Sequence, residues 1–158
     1  MTNPKKTPGK RARIAPAPAE LPKPGIEAFQ TRAKANEGQK IPLYTADGIL
    51  TAHWLKVRGV DSDTFRRAQH IQTRRIAEIA AMPEDERETA IVEASLEMLT
   101  ALVAEWSFDE PFTHEKVKEF LREAPQIATE IDKFASRRAF FFKTHSQNLL
   151  PTPSPSSV

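Results

Sequence analysis

Apolar and polar positions follow two rhythms along this chain, and each change of rhythm marks an element. Ile41 and Leu43 alternate with Pro42 and Tyr44, and Ala46-Asp47-Gly48 supplies a turn signal. A second run from Ile49 to Val57 carries Trp54, Leu55 and Val57. Alternation around a Gly-containing turn predicts a β-hairpin over about 41–57. An isolated two-stranded hairpin is marginal in water, so its apolar face is expected to pack on helices.

The period then lengthens to that of a helix. Gly59-Val60-Asp61-Ser62-Asp63 leads into Phe65, Ala68, Ile76 and Ile79, with Ile71 beside them. Asp61 is the expected N-cap, and Val60 and Phe65 are the expected hydrophobic staple. Pro83 breaks this helix, and Glu84-Asp85-Glu86 load the next N-terminus with favourable negative charge. The helix predicted from about 84 to 105 has two apolar stripes. One is Ile91, Ala94, Met98 and Leu102; the other is Val92, Leu96, Leu99, Val103 and Trp106. A helix apolar over so wide an arc is central, or it holds a partner on its second face. Thr113 caps a third helix bearing Val117, Phe120, Leu121 and Ala124. Pro125 opens a fourth, with Ile127, Ala128, Ile131, Phe134 and Ala135 on one face. The expected fold is mainly α: a small domain of about four helices with an N-terminal β-hairpin and disordered ends.

Composition sets the boundaries. Nine of the 13 prolines lie in the first 24 or last 8 positions. Residues 1–37 read as a disordered basic arm, 38–142 as the helical domain and 143–158 as a disordered tail. Net charge is +2 overall, but residues 1–24 alone carry +5 and the remainder −3. There is no Cys, and no apolar run is long enough to cross a membrane. The basic N-terminus lacks the apolar block of a signal peptide. A soluble cytoplasmic protein is the expectation.

Chemistry-bearing motifs are absent. His53, His70, His114 and His145 share no ligand spacing, so no metal site is expected. The five glycines never cluster into a phosphate-binding loop, and no nucleophile elbow is visible. No enzyme activity and no cofactor are expected. Lys5, Lys6, Lys10, Arg11 and Arg13 could neutralise phosphates, although a solubilising tail accounts for them more simply. Arg66, Arg67, Arg74 and Arg75 roughly align on one helix, where a solvated face is the simpler reading.

Three stretches, in this order, resemble the tail assembly chaperones of long-tailed bacteriophages. They are the Ile41–Val57 hairpin with its Asp47-Gly48 turn, and Gly59-Val60-Asp61-Ser62 leading to Phe65-Arg66-Arg67-Ala68. The third runs from Trp106-Ser107-Phe108-Asp109 through Thr113–Val117, Phe120-Leu121 and Ala124–Ile127 to Phe140-Phe141-Phe142. The resemblance implies a protein that binds the helical tape measure protein, prevents its aggregation and helps recruit tail tube subunits. It implies action in the host cytoplasm and absence from the mature virion. Such phages often make a second, longer product by frameshifting, which the resemblance adds as a partner beside the tail tube protein, and Phe140–Phe142 could encode a slip site; interrupted uridine runs in the coding sequence would count heavily against that. The basic arm has no counterpart in the resemblance.

A reversible chaperone for a helical client needs an apolar groove on a soluble scaffold. Leu99, Val103, Trp106, Phe120, Phe134, Phe141 and Phe142 are the contact candidates, although core packing suits each of them better. Two rival functions compete: nucleic-acid binding through the basic arm, and a structural minor tail or connector protein. Nucleic acid and membranes are not expected partners.

Overall fold

The structure, a computed structural model, describes residues 20–142, with Phe142 by its backbone alone. A 3-10 turn at Ile26–Phe29 precedes α1 (Arg32–Glu37), β1 (Gln39–Tyr44) and β2 (Leu50–Val57). Then come α2 (Asp63–Ala80), α3 (Glu84–Leu102), β3 (Val103–Trp106), α4 (His114–Glu123), α5 (Pro125–Ser136) and α6 (Ala139–Phe142). The protein is mainly helical, with one small antiparallel sheet in the order β1-β2-β3.

Two glycines frame the hairpin. Gly48 takes φ 80° in the turn, and its N–H donates to the Thr45 carbonyl at 2.9 Å. Gly38, at φ 77°, ends α1 and starts β1. A Cβ on Gly38 would lie 2.8 Å from the Val57 carbonyl oxygen, whereas one on Gly48 would meet nothing within 4 Å. Gly38→Ala should therefore destabilise by about 1–3 kcal/mol, and Gly48→Ala by only about 1–2 kcal/mol for its φ alone. Urea denaturation of the two variants ranks them; equal losses would refute the backbone clash at Gly38.

The third strand departs from the sequence expectation. The apolar stripes predicted a helix to about 105, yet α3 stops at Leu102 and Val103 is extended at φ −81°, ψ 123°. Without β3, the second edge of β2 would present unpaired backbone groups. Instead Leu55 faces Trp106 and Lys56 faces Glu105, and Ser107 N–H donates to Trp54 O at 3.1 Å. The β-branched Val103 and the aromatic Trp106 suit a pleated surface as well as a helix.

Other local differences have similar causes. The N-cap of α2 is Ser62, whose hydroxyl accepts from Phe65 N–H at 3.4 Å, and not Asp61. Asp61 binds Arg138 instead, at 2.6 and 3.1 Å, tying the start of α2 to the α5–α6 connection. Within the stretch read as arm, residues 32–37 form α1. Asn36 holds it to α2, accepting from Asp63 N–H at 2.7 Å and donating to the Asp63 carboxylate at 2.8 Å. Arg32 donates to that carboxylate at 2.6 Å. Residues 1–19 and the tail 143–158 lie outside the described residues. Thr113 caps α4 and Pro125 opens α5, as the sequence reads.

The core lies between the sheet and the helices. Leu55, Val57, Leu102, Val117, Leu121 and Ile131 are at most 1% exposed and pack with Trp106, Ala128 and Ala135. β2 sits in the middle of the sheet, and α5 packs across it.

Candidate functional site

The contact candidates divide between interior and surface. Val103, Trp106 and Phe141 are buried. Leu99, Phe120 and Phe134 are half-buried against the core. Trp106 and Phe120 come together edge to face at 6.2 Å, and Phe134 meets Phe141 at 5.6 Å. These form two separate aromatic clusters rather than one groove. Gly59 seats Phe141, since a Cβ there would lie 3.2 Å from the Phe141 ring. The side chain of Phe142 falls outside the description.

A different surface has the form of a binding groove. In α2, Ile76 and Ile79 lie three apart, and in α3 Ile91, Ala94 and Met98 lie three and four apart. Helical spacing makes each set one row. The α2–α3 hairpin lays the rows side by side, leaving an apolar hollow of about 380 Å³. Ile76 is 62% exposed and Ile91 52%, with Ile71 and Val92 exposed nearby. Large apolar groups left in water on adjoining helices mark a contact surface. The hollow continues along α3: Ser95 and Met98 also line a second hollow of about 390 Å³ with Phe65, Leu99 and Ala128. Leu99 is thus the contact candidate that reaches this surface.

Two polar atoms in the walls lack partners. Gln72 is buried, and its Oε1 has no hydrogen bond among the described residues; the same holds for Arg87 Nε. Arg87 otherwise fastens the hairpin, its Nη2 donating to Ala80 O at 3.2 Å and Met82 O at 3.1 Å. Buried polar atoms are almost always paired, and both of these atoms are closed off from the open groove, so they mark a cost to the hairpin and not a contact offered to a ligand.

Charges brace the opposite side of α3. Lys118 donates to Glu93 at 2.8 Å and to Glu97 at 2.6 Å, Arg122 reaches Glu93 at 2.7 Å, and His114 lies 2.6 Å from Glu97. Hydrogen bonds from Lys118 and Arg122 hold the Glu93 carboxyl below its ordinary range. Burial pushes Glu97 up, but Lys118 and His114 together outweigh it and bring it down. Depressed carboxylates stabilise the fold above their unfolded pKa, near 4.5 here, and that stability is lost as pH falls through the lower folded values. The melting temperature should therefore fall below about pH 4.5. Lys118→Met should lower it at neutral pH and flatten this acid limb. An unchanged limb in that variant would show that the brace does not set acid stability.

On the other flank of α4, Trp106, Phe108 and Phe120 floor a hollow of about 270 Å³ rimmed by Glu110, Lys116, Glu119 and Glu123. Phe108 and Phe120 also line a neighbouring hollow of about 300 Å³ that extends to Tyr44 and Ile127. Of the four arginines on α2, all exposed, Arg66 and Arg67 cluster with Arg32, Asp63 and His70, and Arg74 and Arg75 lie outside that cluster. Among the described residues, no group of His, Asp and Glu could hold a metal, and no helix is long and apolar enough to cross a membrane.

Sequence comparison bears on the family of the chain and not on the residues of a site. Residues 49–137 match the model of a protein family described as phage tail assembly chaperone. The match begins beside β2 and takes in α2, both walls of the groove, β3, α4 and α5. No curated protein and no solved structure matches the chain.

Proposed function

Because the chain belongs to the phage tail assembly chaperone family, we propose that it binds the tape measure protein, a helix of which lies in the groove between α2 and α3. In this reading the chaperone shields apolar stretches of that long protein from aggregation until tail tube subunits are recruited around it. It acts by contact rather than catalysis, in the host cytoplasm, and is absent from the finished virion.

The observation that carries the reading is the pair Ile76 and Ile91, more than half exposed on facing walls of an apolar groove. A helix with apolar residues at i, i+3, i+4 and i+7 is the natural occupant of such a groove. A hollow of a few hundred Å³ on a folded scaffold suits a contact that must later release, unlike a large obligate interface.

The test is to tag the full chain, express it in phage-producing cells and identify co-purifying proteins by mass spectrometry, with and without nuclease. Retention of the tape measure protein after nuclease is the expected result. Recovery of nucleic acid alone, released by salt, would overturn it in favour of the basic arm. Finding the protein in purified particles would favour a structural tail component.

A further inference from the structure

We propose that the aromatic hollow beside α4 is a docking site for the chain's own basic segment, Lys5 to Arg13. The inference is independent of the groove between α2 and α3.

The charges of α4 are sorted by face. His114, Lys118 and Arg122, four apart, turn to α3 and meet Glu93 and Glu97. Glu115, Glu119 and Glu123, also four apart, form the adjoining row, and the last two rim the hollow. Glu110 rims it too, with Lys116 as the one basic rim residue. None of the carboxylates of Glu110, Glu119 and Glu123 has an ion-pair partner at salt-bridge distance among the described residues, whereas the basic row is fully engaged. The floor is aromatic: Phe108 and Phe120 meet at 5.4 Å, and Phe108 sits 5.4 Å from Trp106. Aromatic faces beneath carboxylate walls bind guanidinium and ammonium groups, which stack on the rings and pair with the acids. The molecule uses such a contact elsewhere, with Lys40 Nζ 3.8 Å above the Trp54 ring.

The chain supplies a matching cation. Residues 1–24 carry +5 against −3 for the remainder, and Lys5, Lys6, Lys10, Arg11 and Arg13 fall within nine positions. The acidic start of α3 offers charge but no aromatic floor. Reach is not limiting. A Pro-rich segment extends about 3.1 Å per residue, so Lys5 lies up to ~45 Å along the chain from Glu20. A folded body of this size has a radius of gyration of ~14 Å.

The test uses the full chain. It contains no Cys, so Gly9→Cys carries a single nitroxide label. Residue-resolved NMR intensities then report which surface the arm visits. The expected result is loss of most of the intensity at the Trp106 indole N–H, Phe120 and Glu123, recovered at high salt. Glu119→Lys with Glu123→Lys should also restore it, and both positions are exposed, so an unchanged spectrum elsewhere verifies the fold. Charge reversal at Lys10, Arg11 and Arg13 should do the same without touching the domain. Even broadening over the surface, or broadening centred on Glu84 to Glu88, would overturn the proposal. So would broadening that appears when labelled chains are mixed with unlabelled isotope-enriched ones, which would assign the contact to a second copy.

Discussion

Trp106→Ala should destabilise the protein by about 3–5 kcal/mol, the largest loss expected of any single truncation at the aromatic cluster. The indole is 9% exposed and closes the end of β3. Its ring is edge-on to Phe108, Phe112 and Phe120 at 5.4, 5.6 and 6.2 Å. Its Nε1 donates to Glu110 O at 2.9 Å, so truncation leaves a cavity and orphans an acceptor. Urea denaturation followed by circular dichroism measures the loss directly. Trp106→Phe keeps most of the packing and should lose about half as much. A loss under about 1.5 kcal/mol for the alanine variant would mean that the cluster is not part of the cooperative core. The prediction also separates two roles. If Trp106 is mainly structural, loss of partner binding in Trp106→Ala reflects unfolding and says nothing about contact.

That distinction explains what the sequence discloses and what it does not. The Gly48 turn, the Thr113 cap and the Pro125 start are local signals, set by φ preference, hydroxyl geometry and a missing N–H, and all appear where expected. The end of α3 is not local. Val103 to Trp106 fits either period, and its state is decided by the free edge of β2, far away in sequence. The same ambiguity governs the site. Two apolar stripes on α3 are visible in sequence, but periodicity does not say which faces the core. Neither stripe does so along its whole length: Leu102 of the first and Leu96 of the second are buried, while Ile91 of the first and Val92 of the second are more than half exposed, and of these two Ile91 lines the groove with Ala94 and Met98. Aromatic residues drew attention as contact candidates, yet their large apolar area is what buries Trp106 and Phe141. Ile76 carried a signal of its own, an apolar residue flanked by Arg74, Arg75 and Glu78, and its meaning depended on the partner helix beside it.

Ile76→Asp combined with Ile91→Asp should weaken binding of the tape measure protein by at least ~100-fold, with the fold intact. A carboxylate placed in an apolar groove is desolvated by the incoming helix without a partner, which is the costliest kind of interface change. Both side chains are already more than half in water, so stability should change by no more than about 1 kcal/mol. Ile71→Asp combined with Val92→Asp provides the control: these two are 58% and 53% exposed on α2 and α3 but do not line the groove. This variant should bind normally. Titration of a tape measure fragment against the three proteins, alongside melting curves, reads both quantities. Equal loss in both variants would reduce the effect to general surface charge. Full binding by the Ile76/Ile91 variant would remove the groove as the client site and return the search to Leu99 and the hollow beneath Phe65. Loss confined to the Ile76/Ile91 variant identifies the groove by position, because charge and exposure are matched in the control and location alone differs.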